Sequence, residues 1–447
     1  MTKSLALTLQ RRRGVVVVAA LGACAALTSP RNAAAQWSTT YEQFYLRGSF
    51  NWTFRRTYPG ADRLFNAFDY GHATLYERLY SDPGADPALL EQKEYDFITT
   101  KLLVSPPRLP LEERAIEVTY AKIAPEARAM FDWAHLLHRQ VYDVLASESM
   151  SQAEKDATIA RLLAYYKSRP DLAFSSHPKS MELMEGQPYS LAFRRRYPKF
   201  NGLIWGYHWL QVGLYEPLMI GHTQAERQAG VAAAVTRFRQ MLVNAPEHMP
   251  RVMPMTSAIA PTFAQRYPEV AIIFDNLHAM HDVISDILTS DRVSHADKRN
   301  AILDAGRRYR DSSSFLVPVT EWSAMGRMIG IANMGGPAVG LLNAWPTATV
   351  ERGASMSDAM KQAMQQMPGM STDSSHAASA HPSGAAGASA HDAHDMRGMS
   401  MPSSDSAKAA PPSGAKPAKK PTAKPPAKPP AKPKSPDDMQ NMPGMPR

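Results

Sequence analysis

Four prolines in this chain, Pro59, Pro125, Pro198 and Pro268, each open a segment that follows one ungapped pattern. Ten residues on stand Asp69, His135, His208 and His278; thirteen on, His72, His138, Gln211 and His281; eighteen on, Glu77, Asp143, Glu216 and Asp286. Tyr76, Tyr142 and Tyr215 come just before the first three acids and Ser285 before the fourth, while Tyr58, Tyr197 and Tyr267 precede three of the prolines. Imidazole fills six of the eight positions in the first two columns, far above what chance placement of the chain's histidines would give. A period of about 70 residues suits two helices and a connection per unit. Such units must cover one another's apolar faces to be stable.

The expected fold is therefore all-α, with four tandem helical-hairpin repeats packed as one domain over residues 36–354 and units starting near 59, 125, 198 and 268. Each first helix begins near its proline, whose missing N–H is not needed in a first turn. The second helices carry their own start signals: Asp86-Pro87, Ser151 with Glu154, Thr223 with Glu226, and Ser294 with Asp297. An additional helix is expected from Leu111 to Ile123, and the Gly- and Pro-punctuated stretch from Asn333 to Pro346 closes the domain as irregular chain. From about Ser355 the chain turns to Ala, Ser, Pro, Lys, His and Met with almost no aromatic residue, so 355–447 is expected to be disordered.

The first 35 residues read as a secretory leader: Lys3 and Arg11 to Arg13, an apolar run from Val15 to Leu27, then Ala33-Ala34-Ala35 before Gln36. Cys24, the single cysteine, follows Leu21-Gly22-Ala23, which resembles the lipobox of bacterial lipoproteins; lipid anchoring through Cys24 is the alternative to cleavage after Ala35. Either way the expected location is the periplasm or cell envelope. The exported body then has no thiol, which excludes disulfides, thiolate metal sites, iron–sulfur clusters and covalent haem attachment. The net charge of +9 owes much to the leader and to eight lysines between Lys408 and Lys434. That distribution favours an anionic envelope surface, reached through the basic tail, over nucleic acid.

At 100° per residue, the two histidine columns and the tyrosine fall within about 60° of one another on a helix, with the acid on the flank about 12 Å along the axis from the first column. If the four first helices run parallel, the columns form two inward layers, with Asp69, His135, His208 and His278 in one and His72, His138, Gln211 and His281 in the other. Neutral imidazole is the commonest ligand of zinc, copper, iron and nickel, and carboxylates complete such sites. Asp69, His72, His135, His138, His208, His278 and His281 are thus the candidate metal ligands. Glu77, Asp143, Gln211, Glu216 and Asp286 are candidates to orient the rings from behind. The competing account is a buried hydrogen-bonded network that fixes helix register and holds no ion. A b-type haem between two of these histidines is the less favoured cofactor. Arg55-Arg56, Arg194 to Arg196 and Arg266 recur before the Tyr-Pro step, placed to pair with carboxylates of another unit. Met249, Met253 and Met255 can be soft ligands or core filler.

The tail carries Met367 and Met370; His391, His394, Met396, Met399 and Met401; and Met442 and Met445, with Met-Pro-Gly-Met occurring twice. These runs resemble the Met/His-rich segments of periplasmic copper-handling proteins, and the resemblance implies copper affinity, since thioethers suit Cu(I) and imidazole also takes Cu(II). Lys and Pro alternate from Lys416 to Pro436, a composition that extends as a polyproline spacer. No Ser-His-Asp order, phosphate loop or His-Glu-x-x-His motif occurs. The expected function is binding of a transition metal ion (copper, iron or zinc) by an exported helical protein, more a binder than an enzyme. The alternative is a non-catalytic accessory or scaffold subunit of an envelope or membrane electron-transfer complex.

Overall fold

A computed structural model describes residues 42–110, 119–340 and 345–365. The described residues are helical and contain no strand, only an isolated antiparallel bridge between Lys179 and Leu316. None of their helices is long and apolar enough to cross a membrane. Four long helices start at the four prolines: α1 (Pro59–Ser81), α3 (Pro125–Ala146), α5 (Pro198–Gly213) and α7 (Pro268–Thr289). The others are α2 (Pro87–Phe97), α4 (Gln152–Lys167), α6 (Gln224–Met241), α8 (Lys298–Arg310), α9 (Val319–Ile329) and α10 (Met356–Gln365).

Each proline is more than a start signal, because it breaks a helix already under way. A proline ring crowds the residue before it out of the α region. Tyr58, Ala124, Tyr197 and Tyr267 accordingly sit at φ −127, −128, −133 and −127° with ψ between 56 and 69°. The backbone N–H of each still donates to the carbonyl four residues back, closing a short preceding helix: Thr53–Thr57, Tyr120–Ile123, Ala192–Arg196 and Pro261–Arg266. Every long inner helix is therefore the second limb of a kinked pair. Proline also ends α5: Pro217 cannot donate to Gly213 and crowds its carbonyl, so a fresh helix, Tyr215–Ile220, follows Leu214.

The acids eighteen residues after the prolines hold these kinks. Asp143 accepts the N–H groups of Trp52 and Phe54, both at 2.8 Å, and Asp286 accepts those of Leu191 and Phe193, both at 2.8 Å. Trp52 and Leu191 have left-handed backbone, φ 64 and 66°, a conformation that costs a side-chain-bearing residue on the order of 1 kcal/mol or more. Glu77 accepts from the N–H of Thr119 and Tyr120 at 2.9 and 3.1 Å, and Glu216 from the N–H and hydroxyl of Thr262 at 3.0 and 2.6 Å. The exchange is mutual. The acid of α1 holds the entry to α3 and the acid of α3 the entry to α1; the α5 region and α7 exchange in the same way.

The start signals read from the sequence act as expected at Asp86, which accepts from Leu89 N–H, and in the capping boxes of Ser151 with Glu154 and Thr223 with Glu226. The Ser294 hydroxyl meets the Asp297 carboxylate, and α8 starts after it. Helices α3 with α4, α5 with α6, and α7 with α8 pack as hairpins. The first pair departs from that expectation: α2 lies mainly against the start of α5, where Glu91 accepts from the N–H of Lys199 and Phe200 at 2.8 and 3.0 Å. Of the helix expected from Leu111 to Ile123, only residues 119–123 fall among the described ones: Thr119 is the cap and Tyr120–Ile123 is helical. The stretch from Asn333 is irregular after one 3-10 turn, with Gly330, Gly335, Gly336 and Gly340 at positive φ. The expected disorder from Ser355 is corrected at its near end. Helix α10 is formed, and Met356 and Ala359 are buried in the core, where Glu185 accepts the N–H of Met356. The leader and the tail from 366 onward lie outside the described residues.

Replacing Asp143 or Asp286 with Ala leaves two buried N–H groups without an acceptor. Each substitution should lower folding stability by roughly 2–4 kcal/mol in chemical denaturation, and Glu77→Ala, at a half-buried site, by clearly less.

Candidate metal centre

The eight residues of the first two columns all lie in the core, none more than 4% exposed. They do not stack in the two expected layers. Ligand-capable nitrogens of His72, His208 and His281 gather within 4.8 Å of one another, which joins the first column of α5 to the second column of α1 and α7. His281 Nδ1 and His208 Nε2 are 3.3 Å apart. Ring centroids separate by 4.4 Å for His72 and His281 and by 5.5 Å for His208 with either partner.

The layers fail because the helices are not side by side and parallel. The Tyr142 hydroxyl donates to the Gln211 carbonyl, and the Tyr215 hydroxyl lies 3.2 Å from the His138 carbonyl. Each contact joins position seventeen of one segment to position thirteen of the other, in both directions. Parallel neighbours would set equal positions side by side, whereas opposed or steeply crossing helices give this reciprocal pairing. Tyr76 likewise donates to the His281 carbonyl at 3.1 Å, but Ser285, lacking a ring, turns back to the same carbonyl within its own helix at 2.9 Å.

The other members of the columns surround the triad. His278 stacks on His208 with centroids 4.1 Å apart, and its Nε2 is 3.0 Å from Gln211 Oε1, so Gln211 does hold a ring. His138 lies against Phe274 at 3.9 Å, with its Nδ1 2.6 Å from the Tyr215 hydroxyl. His135 sits 3.5 Å from the Asp69 carboxylate and 5.7 Å, ring to ring, from His281. The described hydrogen bonds of Glu77, Asp143, Glu216 and Asp286 go to backbone amides and hydroxyls, not to imidazoles. The reason is reach: on the flank of each helix and far along it, these acids meet the end of a neighbouring element instead. Neither ring nitrogen of His72 completes a hydrogen bond, nor do Nδ1 of His208, Nδ1 of His278 and Nε2 of His138.

Burial sets the charge state. Loss of water pushes His72, His138, His208, His278 and His281 well below the usual imidazole range, and each ring near another lowers it further. The Phe68 carbonyl, one turn back, opposes this weakly at His72. His135 falls to about 3 through burial and the Arg139 guanidinium. The six rings are neutral, the form that binds metal. Burial raises Asp69 to about 6 against the pull of Arg139, which donates to it at 2.8 Å and lies 3.6 Å from Asp62.

Phe68 and Arg139 are central here yet invisible in the repeat. Phe68 packs against His72 at 4.0 Å and against His208 at 5.6 Å, walling the triad with hydrocarbon. Arg139 occupies a position held by Ala73, Val212 and Asp282 in the other segments. Of the histidines outside the columns, His177, His222 and His295 are exposed, and His248 stacks on Trp345 at 4.1 Å. Of the arginines before the prolines, Arg196 and Arg266 pair with acids of another unit, Asp291 and Asp156, whereas Arg55 and Arg194 pair with Glu42 and Glu185 upstream on their own stretch of chain. Met249, Met253 and Met255 are buried. The tail candidates Met367, Met370, His391, His394, Met396, Met399, Met401, Met442 and Met445 lie outside the described residues.

A buried neutral imidazole sets the sign of a pH effect. Below about pH 6.5 the unfolded chain takes up a proton that the native ring refuses, so this contribution to stability falls with pH. In chelator-treated protein, the destabilisation caused by His208→Gln should therefore shrink by about 1 kcal/mol between pH 7.5 and 5.5, measured by denaturant unfolding at both values. No family model, no curated protein and no solved structure matches this chain.

Proposed function

We propose that this chain is a copper(I)-binding protein of the cell envelope, with the ion held by His72, His208 and His281. The observation that carries the reading is the convergence of three buried, uncharged imidazoles with no acid among them. Two nitrogens bound to one tetrahedral ion at about 2.0–2.1 Å lie about 3.3 Å apart. His281 Nδ1 and His208 Nε2 already have that separation, and His72, whose nitrogen lies within 4.8 Å of theirs, needs to close by up to about 1.5 Å, within reach of a ring rotation.

Charge favours a monovalent ion. The cost of burying an ion grows with the square of its charge, so Cu(I) carries about a quarter of the penalty of a divalent ion at equal radius. The nearest acid of the columns, Asp69, is already paired with Arg139. A haem is disfavoured by the same packing, since rings at 4.0–5.5 Å with Phe68 between them leave no plane for a macrocycle. The expected leader and the Met/His tail fit this role: in an exported chain without thiols the tail's thioethers and imidazoles collect copper, and its lysines hold the protein near an anionic surface.

The four proline-led segments are, on this reading, copies of one unit, despite the displaced α2. The mutual exchange of acids between α1 and α3, and between the α5 region and α7, supports descent from a unit that once paired with itself. Duplication then explains six imidazoles at one centre without separate origins.

Full-length protein loaded with Cu(I) under reducing conditions and challenged with a Cu(I) chelator should retain one more equivalent than its His208→Gln variant at unchanged helicity. Equal retention by the two proteins, or copper held only through oxygen or sulfur by X-ray absorption, would defeat the assignment.

A further inference from the structure

Away from the imidazoles, a small, partly open space of about 20 Å³ lies beneath the short helix Met181–Glu185. Four methionines line it: Met181 and Met184 from that helix, and Met253 and Met255 from the segment leading to Thr256. Met184, Met253 and Met255 are each only 1% exposed, while Met181 is half-buried and forms the outer wall.

Of the polar groups in the lining, which include Lys179, Ser180 and Asn276, the Tyr309 hydroxyl and the Asp275 carboxyl lack what a closed core normally supplies. The Tyr309 hydroxyl is buried and has no hydrogen-bond partner. Asp275 is buried as a carboxylate that accepts from Thr256 N–H and hydroxyl at 2.9 and 2.6 Å and from Trp322 Nε1 at 2.8 Å. Among the described residues no cationic side chain pairs with it. Lys179, also in the wall, spends its ammonium on Asp311 and on the Ser314 carbonyl, at 2.8–3.0 Å. A buried carboxyl, pushed up to about 6 by burial and without a cationic partner among the described residues, thus borders a small space rimmed by thioethers.

We propose that this space is a second metal site, which takes one soft monovalent cation, Cu(I), between the methionine sulfurs with Asp275 balancing its charge. A volume of this size admits one water or one ion. Water can occupy such a space too, but the four thioethers of the wall are weak acceptors that add little to holding it. Thioether sulfur selects Cu(I) over hard ions, and a single positive charge matches a single carboxylate. The site shares no residue with the imidazole centre and does not depend on it. Met181 at the rim gives the ion a way in from solvent.

The test uses the full chain labelled with 13C at the methionine methyl groups, titrated with Ag(I) in chloride-free buffer as a diamagnetic stand-in for Cu(I), with signals assigned by single Met→Leu variants. The methyls of Met184, Met253 and Met255 should shift together and saturate at about one equivalent, while Met130 and Met280, buried elsewhere, stay in place. Asp275→Asn should weaken that response by at least about tenfold, and His208→Gln should leave it intact, which separates this site from the imidazole centre. Cavity methyls that stay fixed while tail methyls respond would mean that the space holds water only and would overturn the proposal. So would movement of Met280 together with them, which marks a general rearrangement of the core.

Discussion

The structure depends on a conflict at four points between proline and its predecessor. Chain that would run on as one helix is forced to turn at Tyr58, Ala124, Tyr197 and Tyr267, and two of the resulting short helices enter through left-handed Trp52 and Leu191. Such a kink does not hold itself. Four carboxylates, three on other long helices and Glu216 on the short helix after α5, supply acceptors for the unpaired amides at the starts of the short helices. Because each acid serves the helix whose own acid serves it in return, moving one long helix disturbs two kinks at once.

That coupling has a consequence for the centre. The acids fix where α1 and α3, and α5 and α7, stand relative to each other, and the tyrosines one residue earlier tie α1 to α7 and α3 to the α5 region. Imidazoles four and seven residues before the tyrosines and Ser285 are then carried into the common interior with little freedom left. Water is excluded by Phe68, Phe131 and Phe274, so the rings stay neutral, and lone pairs that water would satisfy are left facing one another. An imidazole cluster of this kind is costly as mere packing material, because a buried polar atom without a partner costs about 1–3 kcal/mol.

Much of this was legible in the sequence. The prolines marked the true starts of the long helices, the capping boxes at Ser151 and Thr223 formed as read, and every residue of the two histidine columns proved to be buried. The period could not reveal direction. One column repeated four times looks the same whether the helices run parallel or cross, and only the long-range reciprocity of Tyr142 and Tyr215 decides it. The role of the acids was hidden for a related reason. Their partners are backbone amides, which have no sequence signature, and the short helices they cap are too brief to show periodicity. The placement of α2 rests on one carboxylate, Glu91, that meets the start of a helix more than a hundred residues away. Helix α10 was obscured because its composition already belongs to the tail, although Met356 and Ala359 pack into the core.

The two groups of soft ligands differ in what they can exchange. The imidazole triad is enclosed on all sides, and an ion there can leave only if the long helices part, which their shared acids and tyrosines resist. The methionine space has a half-buried wall in Met181, carried on a helix of five residues. Thioether ligands on a short element near the surface suit passage, and rigid imidazoles on long interlocked helices suit retention. If both hold copper, the order of their occupation should follow access rather than affinity, with the outer site filling first and the inner one releasing last.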